Sequence, residues 1–289
     1  MLPKKISYKA TLANQKLDEY TEKTSIARSP ERELWYSSNS VCFEIVKALR
    51  FKELQIIGGG ISIRWLNCFK LDTYKSIRKY MHFDSRFCSM YMSLDYYNRI
   101  PFMSYNLAVR KEESEQWALD RRSQVKGMDF GLDLDCKNGT WRDAIKDARE
   151  IQLLFNAYNV RFAFWCSGQH GFHFIVPFED MPQEIKDLQY EKLIAFYKRG
   201  AEIIAKRIKS VDLSIYMPTR VLKCPYSIEK GGNVIFPLDE GSFMDLVKGD
   251  LKLNKPIEIL KNYEIRNRGI YLQGKPDGIK DFFENWEGW

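Results

Sequence analysis

Two aspartates lie two residues apart inside an apolar run, Gly131-Leu-Asp-Leu-Asp-Cys136. In a β-strand, Asp133 and Asp135 project from the same face, roughly 7 Å apart along the backbone. Carboxylate oxygens so placed suit a pair of hard cations such as Mg²⁺ or Mn²⁺. Alone, the motif is weak, because a D-x-D pair often caps a loop or lies on a solvated face. Two later segments support the chemical interpretation.

The second segment is Ser167-Gly-Gln-His-Gly-Phe-His173. Its glycines let the backbone turn tightly and approach a ligand closely. Ser167 and His173 are donors suited to phosphate oxygens. The plain alternative is a β-turn with an exposed histidine. Since His173 precedes Phe-Ile-Val, it lies at the mouth of a buried strand, where a polar side chain needs a partner.

The third segment begins at Val211-Asp212 and continues with Arg220-Val-Leu-Lys-Cys-Pro-Tyr-Ser-Ile-Glu-Lys-Gly-Gly232. Asp212 offers a third carboxylate. The later stretch places cations beside hydroxyl residues and glycines, a combination that can cradle a triphosphate. In isolation, a basic surface loop before a strand is the better interpretation.

The elements that must position these residues become regular from Val125 onwards. Capping-box spacing at Thr140 and Asp143 predicts the start of a helix that runs to about Tyr158. A hairpin is predicted around Ser167–Gly171. The other predicted elements are strands at Met128–Cys136, Val160–Cys166, Phe172–Pro177, near Arg220–Cys224 and Asn233–Phe236, and a long helix from about Gln183 to Lys209. This order predicts a mixed α/β sheet covered by helices.

Upstream, the pattern predicts a helix from Glu31 to about Arg50, and a strand, glycine turn and strand over residues 54–65. The triple glycine at 58–60 has no Gly-Lys-Ser/Thr sequel, so it is a poor phosphate loop and a good turn. A helix is predicted at Lys70–Met81 and a strand at Cys88–Tyr97. Residues 1–30 are polar and predict a surface arm.

The composition of the 289 residues excludes disorder of the whole chain, because 45% are hydrophobic and 14% aromatic. The net charge of +7 is compatible with a polyanionic partner. Six cysteines form no C-x-x-C pair and only three histidines occur, so zinc is not indicated. No secretory h-region and no apolar run of about 18 residues is present. We therefore expect a soluble, cytoplasmic protein with no membrane partner, nucleoid-associated, or nuclear in a eukaryotic host.

The three segments together resemble the archaeo-eukaryotic primase superfamily, most closely its small catalytic subunit. That family has D-x-D on a strand, S-G-x-x-G-x-H in a hairpin, a lone aspartate, and a basic stretch ending in S-x-H and K-x-G. Here these are Asp133-Leu-Asp135, Ser167 to His173, Asp212, and Leu222-Lys-Cys-Pro-Tyr-Ser227 with Lys230-Gly-Gly. Arg32-Glu-Leu-Trp-Tyr36, Arg64-Trp-Leu-Asn-Cys-Phe69 and Met90-Tyr-Met-Ser93 are similar to upstream motifs of the family.

The resemblance implies a primase-polymerase fold of the α/β (α+β) class, with an RRM-like catalytic half. The implied divisions are the arm over 1–30, a catalytic domain over 31–240 and a C-terminal tail over 241–289 that docks on the core. Within the catalytic domain, residues 31–124 would form an N-terminal αβ module and residues 125–240 the metal-binding half.

The resemblance also implies roles for individual residues. The metal ligands would be Asp133, Asp135 and Asp212, holding two Mg²⁺ or Mn²⁺ ions. The nucleotide would be bound by Ser167, His170, His173, Arg220, Lys223, Ser227 and Lys230, with Arg32 reaching the site from the N-terminal module. The chain departs from the family at Gln169 and His170, where basic residues are common, and at Glu229, where the family has histidine. We expect Glu229 to point away from the triphosphate, or Lys230 to take over the role of the family's histidine.

The implied activity is synthesis of short RNA or DNA primers on a single-stranded DNA template from NTPs or dNTPs. The expected partners include a primase large subunit or a replication helicase. One alternative is a gap-filling or end-joining polymerase of the same superfamily, which extends primers but does not start them. The other is a non-catalytic single-strand-binding module, which has no use for three carboxylates facing an anion.

Overall fold

The computed structural model describes residues 30–49, 52, 54–58, 61–65, 89–97, 104–106, 123–136, 139–168, 171–217, 221–229, 232–249, 259–260, 274–276 and 278–285. Over 54–58, 61–65 and 104–106 it describes the backbone alone. Residues 1–29 of the predicted arm and the predicted helix at 70–81 lie outside the described residues.

The described residues form helices and strands in the following order along the chain. The helices are α1 (Pro30–Ser37), α2 (Asn39–Ala48), α3 (Trp141–Ala157), α4 (Gln183–Lys186), α5 (Tyr190–Ala205), α6 (Glu240–Lys248) and α7 (Gly278–Asn285). The strands are β1 (Leu54–Gly58), β2 (Ile61–Trp65), β3 (Ser89–Ser93), β4 (Asp95–Tyr97), β5 (Ser104–Asn106), β6 (Val125–Met128), β7 (Phe130–Asp135), β8 (Ala163–Cys166), β9 (Gly171–Val176), β10 (Val221–Lys223) and β11 (Pro237–Leu238).

Two sheets contain most of these strands. The first has the order β10-β3-β1-β2-β5 and the second β11-β8-β9-β7, while β4 and β6 form a separate ribbon. The strand pairs described in all three are antiparallel. Strand β10 follows the strands β7 to β9 in the chain but pairs with β3. It therefore carries the chain from the second sheet back to the first.

Helices cover one face of the second sheet. Phe172 on β9 stacks on Trp141 of α3, with ring centroids 5.3 Å apart. Its neighbour Phe174 stacks on Phe164 of β8 at 5.0 Å, and Phe164 meets Phe243 of α6 edge-on. These rings pack in the hydrophobic core on this face of the sheet. His173, between Phe172 and Phe174 on β9, faces the opposite side.

The predicted helix at 140–158 is confirmed, including its start. Thr140 accepts from the Asp143 backbone N–H, and the Asp143 carboxylate accepts from the Thr140 N–H at 2.7 Å. The predicted strand–turn–strand at 54–65 and the hairpin around 167–171 are also present as the pairs β1–β2 and β8–β9. Each of these elements depends on residues close together in the chain.

Two predicted long helices are each divided in two. The first breaks at Ser38, whose ψ of 119° is extended. The break lets α1 bury Trp35 and Tyr36 while α2 buries a different face. The second breaks at 187–189, where Asp187 closes α4 and Gln189 is extended before α5. Periodicity continues across both breaks, so the apolar pattern alone did not reveal them.

The start of β7 is set by a buried ion pair. Lys52 lies 2.6 Å from Asp129, and both side chains are almost fully buried. Asp129 also accepts from the Phe178 backbone N–H at 2.8 Å, and Lys52 donates to the Leu94 carbonyl. Because Asp129 turns inward to this pair, the strand predicted from Met128 is interrupted there and β7 begins at Phe130.

The last described helix packs on the second half of the chain. Phe282 meets Phe155 of α3 edge-on at 5.6 Å, and Phe283 meets Phe130 of β7 at 5.8 Å. Among the described residues, no helix combines the length and apolar character that crossing a membrane requires.

Candidate active site

One row of side chains crosses the second sheet on the face opposite the helices. Strand pairing places Trp165 of β8 opposite His173 of β9, and His173 opposite Asp133 of β7. Residues that face each other in an antiparallel pair share one face of the sheet. The row therefore brings an indole, an imidazole and a carboxylate together.

The free edge of β7 adds Asp212 to this row. Leu134 pairs with Val211, the Asp212 N–H donates to the Asp133 carbonyl at 2.7 Å, and the Asp135 N–H donates to the Ser210 carbonyl at 2.8 Å. With Leu134 opposite Val211, Asp212 lies opposite Asp133 and on its face. The backbone thus places Asp133, Asp135 and Asp212 on one face, although 77 positions separate the last two in the sequence.

The three carboxylates are half-buried. Asp133 Oδ1 lies 3.2 Å from His173 Nε2, and Asp212 Oδ1 accepts from the Ser214 backbone N–H at 2.8 Å. Within the described ranges, no three His, Cys, Asp or Glu side chains are grouped closely enough to hold a metal ion. The backbone register nevertheless presents three hard oxygen donors on one surface, which is the donor chemistry that Mg²⁺ and Mn²⁺ take.

Two side chains donate hydrogen bonds to backbone carbonyls of the hairpin turn. Lys223 of β10 donates to the Ser167 carbonyl at 2.8 Å, and Asn233 donates to the Gly168 carbonyl. Gly168 has φ +87°, a left-handed conformation that glycine adopts readily. At Gly171, a Cβ would overlap the Leu134 carbonyl, so only glycine lets β9 approach β7 so closely.

Lys223, on β10 of the first sheet, contacts the hairpin of the second sheet. Burial lowers the pKa of its ammonium group, and the negative charges of Glu229, Asp133 and Asp135 oppose that effect. Burial also raises the pKa of the Cys166 thiol to about 12, so this thiol stays protonated and offers no nucleophile. The ammonium of Lys223 thus contacts the hairpin, and its pKa responds to the charges of two predicted metal ligands.

The Glu229 side chain is buried next to the hairpin turn, and its orientation relative to a triphosphate stays a prediction. Its side chain is 1% exposed, and a Cβ placed on Gly168 would lie 2.9 Å from Glu229 Cγ. The carboxylate therefore packs beneath the hairpin turn, close enough to raise the pKa of Lys223. The reason is the pairing of residues 227–229 with 233–235, which folds this segment against the turn.

Arg32 and Ser227 both donate hydrogen bonds to backbone carbonyls of the protein. Arg32 is buried and donates to the Glu229 carbonyl at 2.7 Å, so α1 does reach this part of the molecule. Ser227 is 1% exposed and donates to the Cys224 carbonyl at 2.7 Å. The predicted nucleotide-binding residues His170, Arg220 and Lys230, and also Gln169, lie outside the described residues.

Helix α1 holds the segment at 226–229 through two further contacts. The Trp35 indole donates to the Tyr226 carbonyl at 2.8 Å, and the Tyr36 hydroxyl accepts from the Ile228 N–H at 2.9 Å. Tyr226 has φ +62°, which is strained for an aromatic residue and persists only where the surroundings hold it. The contacts from α1 supply that restraint.

Sequence reasoning missed Trp165 and Asn233. For Trp165 a signal existed, because a hairpin that turns at 167–171 sets Trp165 opposite His173 by counting back along the strands. For Asn233 there was none, since its contact with Gly168 depends on how distant segments pack.

No protein-family model and no curated protein matches this chain. Among solved structures, it is similar to the polymerase domain from Mycobacterium tuberculosis ligase D in complex with DNA, with a TM-score of 0.54. The likeness covers 83% of this chain and 89% of the other, at 13% identity. The chain has a primase-polymerase fold. The α/β fold class expected from the motifs is thereby confirmed, and at this identity the likeness shows the fold alone.

Proposed function

We propose that this protein is a nucleotidyltransferase of the archaeo-eukaryotic primase superfamily that synthesises short primers on single-stranded DNA. The observation that carries the proposal is the pairing of Asp212 with Asp133 at the edge of β7. It places three carboxylates from two separate motifs on one face of the sheet, where His173 lies beside Asp133. The primase-polymerase fold, with a likeness that covers 83% of this chain, supports the same interpretation.

Asp133, Asp135 and Asp212 are the proposed ligands of two Mg²⁺ or Mn²⁺ ions. Three carboxylates offset much of the charge of two divalent cations, and their oxygens are of the type these ions prefer. When bound, such ions lower the pKa of an attacking 3′-hydroxyl and neutralise charge on the leaving pyrophosphate. The task of the protein is then to hold the reacting groups in line.

The phosphates of the incoming NTP or dNTP are the proposed ligands of Ser167, His173 and Lys223. Lys223 lies against the hairpin carbonyl of Ser167, and its pKa responds to the Asp133 and Asp135 charges. A triphosphate placed between these groups would meet a cation on one side and an N–H donor on the other. Such positioning and electrostatic stabilisation account for most of the catalysis of phosphoryl transfer. His170, Arg220, Ser227, Lys230 and Arg32 complete the proposed nucleotide-binding set.

The test is synthesis of products from single-stranded template, Mn²⁺ and nucleotides by purified protein. Short products should form, and none should form with the Asp133→Ala and Asp135→Ala double variant. Asp281→Ala is the matched control, because Asp281 is an exposed aspartate on α7. Full activity of the double variant would refute the metal assignment.

The same assay distinguishes primer synthesis from extension alone. A primase makes products without a primer, whereas a gap-filling polymerase extends a supplied primer and responds to a downstream 5′-phosphate. Running both ribo- and deoxyribonucleotides also gives the sugar preference. Template binding that survives loss of all three aspartates, with no synthesis, would instead indicate a single-strand-binding module.

A primase large subunit or a replication helicase is the proposed protein partner, since initiation requires two nucleotides to be held before any primer exists. Copurification of the tagged protein with either partner, and a rise in primer yield when it is added, would support this assignment.

A further inference from the structure

A chain of two polar contacts, the first of them a hydrogen bond, joins Trp165, His173 and Asp133. The Trp165 indole N–H lies 2.9 Å from His173 Nδ1, and His173 Nε2 lies 3.2 Å from Asp133 Oδ1. The indole and imidazole rings meet edge-on at 88°, with centroids 5.8 Å apart. The chain follows the cross-strand row, so strand register holds all three groups in place.

Which nitrogen of His173 carries the proton follows from the chemistry of the groups on either side of it. An indole nitrogen only donates, so His173 Nδ1 must present its lone pair to Trp165. In a neutral imidazole the proton is then on Nε2. Nε2 lies 3.2 Å from an Asp133 carboxylate oxygen, a group that, when ionised, only accepts. Both contacts therefore select the same tautomer of His173, with Nε2–H directed at Asp133.

We propose that Trp165 is a positioning residue that holds His173 in its Nε2–H tautomer and through it orients the Asp133 carboxylate. This inference rests on the proposed function, which makes Asp133 a metal ligand and His173 a donor to phosphate. Groups behind a metal ligand commonly fix its orientation in this way. With Trp165 in place, His173 is always a donor towards the active site, whether its acceptor is Asp133 or a phosphate oxygen.

The alternative is that Trp165 merely fills the core, since its ring is fully buried. A core tryptophan needs some acceptor for its N–H, but a backbone carbonyl would serve equally well. Trp141 offers the comparison, because it packs on Phe172 from the helical face of the same sheet. The two tryptophans thus differ in whether the indole bonds to the histidine, and this difference can be tested.

The first measurement uses the unmodified protein without metal or nucleotide. Nitrogen-15 NMR should show a scalar coupling between the Trp165 indole nitrogen and His173 Nδ1, together with the shift pattern of an Nε2–H imidazole. The chain has only three histidines, which makes assignment practical. An absent coupling, or an Nδ1–H pattern, would overturn the proposal.

The second measurement separates the effect of Trp165 from that of Asp133. In Asp133→Ala, His173 should keep the Nε2–H tautomer, because Trp165 still occupies Nδ1. Adding Trp165→Phe should shift the tautomer ratio about fivefold towards Nδ1–H, the factor that one net hydrogen bond supports. Adding Trp141→Phe instead should leave the ratio unchanged. Equal ratios in the two double variants would show that Trp165 only fills space.

The third measurement tests the consequence for Asp133. With Asp133 intact, Trp165→Phe should weaken Mn²⁺ binding about tenfold in a direct titration, as is typical when the support of a metal ligand is lost. Trp141→Phe should bind Mn²⁺ as the unmodified protein does. Unchanged Mn²⁺ affinity in Trp165→Phe would overturn the orienting role. Because the NMR readouts need no catalysis, they stand or fall separately from primer synthesis.

Discussion

Replacing Tyr36 with phenylalanine tests whether α1 holds the segment at 226–229. The hydroxyl of Tyr36 accepts from the Ile228 backbone N–H at 2.9 Å. Ile228 is fully buried, and its neighbours Ser227 and Glu229 pair instead with residues 233–235 on the other side. The Ile228 N–H therefore points out of that pairing and towards α1.

The expected loss follows from the group left behind. Tyr36→Phe keeps the ring and opens no cavity, but it leaves a buried N–H without its acceptor. An unsatisfied buried donor costs about 1–3 kcal/mol, so we expect the free energy of unfolding to fall by about 2 kcal/mol. A carbonyl that loses one donor is better tolerated than an N–H that loses its acceptor. Arg32→Met, which affects the Glu229 carbonyl, should therefore cost less than Tyr36→Phe.

Urea unfolding of the unmodified protein and both variants gives these free energies, with an unchanged slope required for the comparison. Leu34→Ala is the control, because Leu34 is on the same helix but 48% exposed. That variant should stay within about 0.5 kcal/mol of the unmodified protein. A loss for Tyr36→Phe no larger than that of Leu34→Ala would refute the proposed role of the hydroxyl.

Three further predictions concern single side chains. Lys52→Met should lower the free energy of unfolding, measured in urea, by about 3 kcal/mol, because the buried Asp129 carboxylate loses the cation that pairs with it. Burial lowers the pKa of Lys223 from the ordinary lysine value of 10.5. Nucleotide binding should therefore weaken as the pH rises at values below 10.5, because the neutral amine attracts phosphate less than the ammonium group does. Lys223→Arg should remove that pH dependence in a binding titration. If the pH dependence persisted in this variant, a group other than Lys223 would be responsible for it. Thr140→Ala should cost about 1 kcal/mol of unfolding free energy through loss of the helix cap, and a thermal midpoint equal to that of the unmodified protein would contradict this.

The sequence predicted those features that depend on residues close together in the chain. The capping box at Thr140 and the hairpin at Ser167–Gly171 are both local patterns, and both are present. Alternation along a strand predicted that Asp133 and Asp135 share a face, and β7 has that form. Periodicity failed at Ser38 and at 187–189, because burial against distant segments decided where those helices end.

The metal-binding and nucleotide-binding roles remain predictions, but the structure changes what surrounds the residues. Glu229 packs against Gly168, and its charge acts to raise the pKa of Lys223. Arg32 donates to the Glu229 carbonyl, and its contact with the nucleotide stays a prediction. Neither contact could be inferred from residue types. The first depends on the pairing of residues 227–229 with 233–235, and the second on how α1 packs against a segment almost 200 residues later.

By itself, the sequence determined which residues can do chemistry and in which order they occur: two aspartates on a strand, a hairpin with donors, a lone aspartate and a lysine. Only the tertiary structure decided which of them meet. The pairing of Leu134 with Val211 sets Asp212 beside Asp133, and the register of β8 and β9 sets Trp165 behind His173. The physical reason is that alternation and capping depend on local geometry. Register across a sheet, in contrast, depends on the burial of whole faces, and a shift of one residue would send every side chain to the other side.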